Sequence, residues 1–277
     1  MATPLFIQAP HGRLFAMYYP PQTSEPDALI LHIPAFAEEM NKSRRMVALQ
    51  ATALSHHNNG VLVLDLFGTG DSEGLLEYAT WQLWMEDIES AVRWLLEQYS
   101  RVPVYLWGLR FGCALVVDYV SQADTSVHGM LLWQPLLSAK MMLAQFLRLR
   151  VASAMTSHSD NEHTPETTKT LLDQLENGIA VEVGGYLLSP EFYASLPEID
   201  AVRLSFKENK TILWVDFSAG ENAKPSTVNR PILNAWTQRN NQVTWAAVNG
   251  DRFWNTQEIA LCPELIARTT QLLCVDH

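Results

Sequence analysis

Residues Val104–Gly112 read Val-Tyr-Leu-Trp-Gly-Leu-Arg-Phe-Gly. A short apolar run bounded by glycine is the pattern of a buried strand. Here it enters Gly-x-Arg-x-Gly, and an apolar segment of helical character, Phe111–Val120, follows directly. Glycines on either side of Arg110 allow the backbone to turn sharply from strand to helix. A buried strand feeding a helix through so tight a turn commits the chain to layered α/β architecture.

The rest of the chain repeats that alternation. Leu29–Ile33, Val61–Leu66, Gly129–Trp133, Thr211–Phe217 and Val243–Val248 are further short apolar runs rich in β-branched residues. Between them lie segments of helical period: Asn41–Leu54, Trp81–Tyr99 (Trp84, Ile88, Val92 and Leu95 on one face) and the closing Ile259–Leu273. This predicts a mostly parallel sheet flanked by helices on both faces. Leu5–Tyr19 is expected to add an antiparallel hairpin at one edge. From Ala139 to Ser205 the alternation breaks into helix-like Met141–Met155, polar Thr156–Glu166, a helix at Thr167–Leu175 and the segment Val181–Leu196. We read residues 1–138 and 206–277 as the core and 139–205 as an inserted cap.

Composition narrows the function classes. Hydrophobic residues are 48% of the 277-residue chain, ample for a large core, and the net charge of −11 disfavours nucleic acid or an anionic membrane surface as partner. No apolar run reaches the roughly 18 residues that span a bilayer. The N-terminus carries no charged region followed by an apolar one, so a cytoplasmic location is expected. Cys113, Cys262 and Cys274 lie far apart, without Cys-x-x-Cys spacing. They are expected to be buried free thiols, with no metal site and no cofactor.

Two motifs carry a resemblance. Asp65-Leu-Phe-Gly-Thr-Gly-Asp-Ser72 fits the Asp-x-x-Gly-x-Gly-x-Ser turn that follows an early strand in many α/β-hydrolases. The strand–Gly-x-Arg-x-Gly–helix stands where that superfamily places its Gly-x-Ser-x-Gly nucleophile elbow. The chain therefore resembles the α/β-hydrolases, and the resemblance implies that fold with a capped crevice at the carboxyl ends of the strands. More narrowly, Pro34-Ala-Phe-Ala-Glu-Glu-Met-Asn-Lys-Ser-Arg-Arg-Met46 and Gly185-Tyr-Leu-Leu-Ser-Pro190 are similar to the hydrolase-like proteins associated with the exosortase A system, second type. That likeness implies bacterial exopolysaccharide production and protein sorting as the setting, and it supplies no reaction.

A serine hydrolase needs a nucleophile, then an acid, then a histidine base, in that chain order. Arg110 occupies the nucleophile position and stays protonated. Asp216, Glu221 and Asp251 are the candidate acids. The base should follow the last strand, near Gly250–Phe253, yet the chain has no histidine between His163 and His277. His32 is expected to brace the loop that follows its strand, and Ser72 to bond the Gly-rich turn. Cys113 is expected to be buried, Ser43 has no histidine near it in sequence, and His158 and His163 are expected on an exposed loop.

Arg110 therefore invites a different role. A cation at a helix N-terminus is unfavourable by about 0.3–1 kcal/mol unless an anion joins it. That anion is either internal (Glu38, Glu39, Asp65, Asp216, Glu221 or Asp251) or a bound carboxylate, phosphate or sulfate. For a bound ligand, Lys42, Arg44, Arg45 and Arg252 would add charge, and the Pro34–Ala37 loop (Pro34, Ala35, Phe36, Ala37) would add backbone donors from its non-proline residues. Trp107, Trp133, Phe253 and Trp254 would add aromatic faces of the kind carbohydrate sites use. The reading is a non-catalytic protein that binds an anionic small molecule or a saccharide. The alternatives are an esterase- or thioesterase-type hydrolase with nonstandard residues, and an assembly subunit that meets a protein partner through its cap.

Overall fold

The computed structural model describes residues 1–122, 127–156, 166–218, 220 and 223–274. The chain opens with the antiparallel hairpin β1 (Thr3–Ala9) and β2 (Gly12–Tyr19), followed by β3 (Leu29–Ile33), α1 (Glu38–His56), β4 (Gly60–Leu64) and α2 (Trp81–Gln98). Next come β5 (Val104–Leu109), α3 (Gly112–Gln122) and β6 (Gly129–Trp133). The segment between β6 and the next core strand holds α4 (Ala139–Thr156), α5 (Thr168–Glu176), a two-stranded hairpin β7 (Val181–Val183) and β8 (Tyr186–Leu188), and α6 (Pro190–Ser195). Then follow β9 (Thr211–Phe217), α7 (Asn229–Gln238), β10 (Gln242–Val248) and α8 (Pro263–Cys274).

The eight-stranded sheet has the order β1-β2-β4-β3-β5-β6-β9-β10. Strands from β4 to β10 pair in parallel, and β2 joins β4 antiparallel. Side chains alternate between two cores with the period of two that a pleated strand imposes. Leu29, Leu31 and Leu106 pack towards α2, α3 and α7, whereas Ile30, Tyr105, Trp107 and Leu131 pack towards α1 and α8. Both faces are thus sealed, which is why β3, β5 and β6 are wholly buried.

The sequence places the core strands well, but it omits α7 and leaves Val181–Leu196, which holds β7, β8 and α6, as an unassigned segment. The ten residues of α7 carry Pro231 and only three buried positions, Ile232, Leu233 and Trp236, too few to stand out as a stripe. Helix α1 also starts three residues earlier than Asn41. Ala37 precedes it with φ of 51°, and this left-handed residue swings the chain from β3 into the helix.

Candidate functional site

The turn at Arg110 keeps elbow geometry. Arg110 has φ of 54°, a left-handed conformation that costs a non-glycine residue about 1–2 kcal/mol. It is held by three backbone bonds: its N–H donates to Trp133 O at 2.9 Å, and its carbonyl accepts from Cys113 N and Leu136 N. The flanking glycines are obligatory. A Cβ on Gly108 would lie 2.6 Å from the Cys113 backbone, and one on Gly112 would lie 2.4 Å from Pro34 O. The close approach of β5, α3 and the β3 loop therefore survives without the serine.

The guanidinium is already engaged. Arg110 Nε lies 3.2 and 3.3 Å from the two Glu39 carboxylate oxygens, and Nη2 lies 3.2 Å from Oε1. Nη2 also donates to Gln145 Oε1 at 3.0 Å, and the group stands 5.5 Å from the Trp254 ring centroid. Burial pushes the Glu39 carboxyl up, and the Arg110 charge opposes that rise. Of the carboxylates that the sequence offers as internal partners, Glu221 lies outside the described residues, and among the other five Glu39 is the one that meets Arg110.

Around this knot lie two cavities. One, of about 500 Å³, is lined by Glu38, Glu39, Lys42, Arg110, Arg148 and Arg252, with Phe36 and Trp254 among its walls. The other, of about 980 Å³, shares Arg110, Gln145 and Arg252 and reaches Asp216 and Lys224. The first wall thus sets four cations against two carboxylates, in a chain whose net charge is −11.

Among the described residues the acid and base positions are not assembled for acyl transfer. Asp216, near the end of β9, accepts from the indole N–H groups of Trp214 and Trp245 at 2.8 Å each and from Asn229 Nδ2 at 3.1 Å. Its oxygens are committed to the protein. In the loop after β10, Arg252 faces both cavities, whereas Asp251 is exposed. Glu221, His158, His163 and His277 lie outside the described residues. Cys113 is fully buried, bonds Trp133 O, and has its thiol pushed well up by burial. Ser72 accepts from Phe15 N and donates to Asp65 O, a turn-bracing role. Among the described residues no group of three or more His, Cys, Asp or Glu could hold a metal ion, and no helix is long and apolar enough to cross a membrane.

Several sequence expectations require correction. Trp107 cannot face a ligand in this cleft: it is fully buried, with its ring 4.4 Å from that of His32 and 4.6 Å from that of Trp133. Strand alternation turns it beneath the sheet. Pro34 and Ala35 line a separate cavity on the far side of α1, and Arg45 is exposed and lines neither Arg110 cavity. His32 braces nothing, since both ring nitrogens are buried without a hydrogen-bond partner. Cys274 is half-buried rather than buried. Phe36, Lys42 and Arg252 do meet Arg110 at the cleft. Gln145 carries no signal of a cleft position in the sequence, and Arg148, set within the apolar Met141–Met155 run, reads there as part of the cap's packing, yet both line the Arg110 cleft.

The two segments behind the narrower resemblance touch. Tyr186 Oη donates to Glu38 Oε1 at 3.1 Å and accepts from Asn41 Nδ2 at 2.7 Å. Phe36 stacks on Phe192 at 5.7 Å and meets Phe146 edge-on at 5.0 Å. The β3–α1 loop, α4 and the β7–β8 hairpin are therefore welded together beside the cleft.

Comparison with known proteins fits this geometry. Residues 24–175 match the family model described as serine aminopeptidase, S33. A monoglyceride lipase of Rattus norvegicus is 27% identical over 153 residues, 55% of this chain. The chain spans about half the length of that relative, 49%. Among solved structures, Est1E from Butyrivibrio proteoclasticus aligns with 99% of both chains at a TM-score of 0.64 and 14% identity. An alpha-beta serine hydrolase homologue from Coxiella burnetii aligns with 99% of this chain and 96% of its own at 0.56 and 15%. At these identities the structural likeness speaks for the fold. With the parallel sheet, the elbow and the family match together, the chain belongs to the serine aminopeptidase S33 family of the α/β-hydrolase superfamily.

Proposed function

We propose that this protein uses the hydrolase scaffold to bind a small anion or an acidic saccharide without cleaving it. The observation that carries this reading is Arg110 at the elbow apex, anchored by Glu39 and Gln145. A guanidinium cannot attack a carbonyl, and the chain has no histidine in the loop after β10 to serve as base. Lys42, Arg148 and Arg252 supply surplus positive charge around it, and Trp254 an aromatic wall. Residues 139–205 act as the cap that closes the crevice, joined to the core through Tyr186 and Phe36. The resemblance of Pro34–Met46 and Gly185–Pro190 supports an exosortase-linked exopolysaccharide setting, in which charged sugars are natural ligands.

The test is thermal unfolding with inorganic phosphate and with glucuronate as probes. A ligand that binds only the folded state raises its stability by mass action. The reading expects a concentration-dependent rise in Tm that Arg252→Ala and Lys42→Ala diminish. No rise with either probe would count against it. An esterase-type hydrolase is the second reading, favoured by the lipase and esterase relatives. It requires turnover of a p-nitrophenyl ester that a single substitution in the cleft abolishes.

A further inference from the structure

Beneath α1, on the side away from Arg110, lies a cavity of about 200 Å³ that shares no lining residue with the two Arg110 cavities. Its walls come from β2, β3, β4, β5 and α1, and include His32, Ser43, Arg44, Val47, Asp65 and Leu109. His32 is 2% exposed, and neither Nδ1 nor Nε2 has a hydrogen-bond partner. A buried polar group without a partner forfeits the hydrogen bonds that it would make in water, so such a group calls for an explanation. Here the orphaned imidazole stands in the wall of a cavity.

The chemistry of the walls defines what fits. Arg44 Nη2 lies 3.0 Å from Asp65 Oδ2, which also accepts from Asp71 N, so the charges at the rim compensate each other. Ser43 spends its proton on Glu39 O and offers only acceptor capacity. Burial, with the Arg44 charge, pushes the His32 pKa down to about 3. The imidazole is neutral at physiological pH and presents one donor and one acceptor. The remaining wall is apolar: Met17, Met40, Val47, Val63 and Leu109. A cavity of roughly 150 Å³ takes up a benzene ring, which sets the scale.

We propose that this cavity is a second ligand site, separate from the Arg110 cleft, for an uncharged molecule of phenol size whose hydroxyl pairs with His32. The polar group sits on the imidazole and the ring lies against Val47 and Leu109. The hydroxyl pairs with one of the two ring nitrogens, donating to the bare nitrogen or accepting from the N–H according to the tautomer.

The experiment uses the full chain with benzyl alcohol as probe, toluene as its counterpart without the hydroxyl, and benzoate as its charged counterpart. The readouts are the ¹⁵N and ¹H resonances of the His32 ring and the shift in Tm. Benzyl alcohol is expected to move the His32 resonances and to raise Tm. Toluene is expected to bind about tenfold more weakly, the worth of one hydrogen bond, and benzoate not at all. His32→Phe should abolish binding. Because that change also alters the packing of β3, Ala48→Leu, which narrows the cavity from the half-exposed α1 side, is the second variant and should also weaken it. Arg110→Met should leave benzyl alcohol binding intact, which separates this site from the anion cleft. Unmoved His32 resonances would mean a site filled by water only and would overturn the proposal. So would toluene binding as tightly as benzyl alcohol, or both cavity variants binding like wild type.

Discussion

Glu39, in the first turn of α1, meets Arg110 at the apex of the elbow with contacts of 3.2–3.3 Å to both carboxylate oxygens. The pair joins two loops that in a working hydrolase would flank the reacting carbonyl. It fills that space with a charge-assisted bond whose partners are 12% and 28% exposed in their side chains. On the proposed reading, an anion that enters must share Arg110 with Glu39 or displace it.

Glu39→Gln tests that competition directly. Removing the internal carboxylate charge should tighten binding of inorganic phosphate several-fold, measured by calorimetry, while lowering stability in phosphate-free buffer by about 1–2 kcal/mol. Weaker phosphate binding in this variant would show that Glu39 belongs to the ligand site instead of competing with it.

Arg110→Met strands the Glu39 carboxylate in a largely buried place. The expected loss is about 1–3 kcal/mol at neutral pH, below that of a fully buried pair because both partners reach solvent. The sign of its pH dependence follows from linkage. Burial already raises the Glu39 pKa, and loss of the cation raises it further. The folded variant then holds a proton that the unfolded chain releases above about 4.5. Its stability should fall as pH rises from there, more steeply than in wild type. Chemical denaturation at several pH values reads the slope.

Two other buried groups should tilt the pH profile in opposite directions. Asp87 is fully buried in α2, accepts from Phe67 N, and has its pKa pushed by burial from 3.8 to about 7. The folded state retains that proton longer than the unfolded state, so Asp87 lowers stability as pH rises between those values. His32 does the reverse: its pKa falls from 6.5 to about 3, so the unfolded chain binds the extra proton and stability is lost as pH falls through that window. Asp87→Asn should flatten the decline towards neutral pH and leave the acid-side loss in plain view. An unchanged profile in Asp87→Asn would show that its carboxyl is ionised in the fold.

Phe36 ties the site together through packing. Its ring meets those of Phe146, Phe192, Trp84 and Phe111 at 5.0, 5.7, 6.2 and 6.3 Å. Phe36→Ala should cost about 3–5 kcal/mol and loosen α4 and α6 against the core, seen as faster hydrogen exchange in both. Tyr186→Phe, which loses only the bonds to Glu38 and Asn41, should cost about 0.5–1.5 kcal/mol.

What the sequence made legible follows from what each feature depends on. Strands β3, β5 and β6 show as unbroken apolar runs because helices cover them on both faces, and the elbow shows because its glycines are forced by backbone contact. The partner of Arg110 is a tertiary fact. Glu38 and Glu39 are neighbours in sequence, yet the turn at Ala37 and the helical phase send one to Tyr186 and the other to Arg110. Gln145 was hidden in an apolar helix for the same reason. Trp107 reads as a cleft aromatic only while the strand's facing is unknown, and register with β3 and β6 turns it inward.

The central claim is that the elbow has exchanged a nucleophile for a bound cation. Intact-mass spectrometry after treatment with a serine-directed fluorophosphonate tests it most directly, on wild type and on Arg110→Ser. The account predicts no adduct on either protein: wild type has no nucleophile at the apex, and the restored serine has no histidine after β10 to activate it. A stoichiometric adduct on the wild-type chain would contradict it.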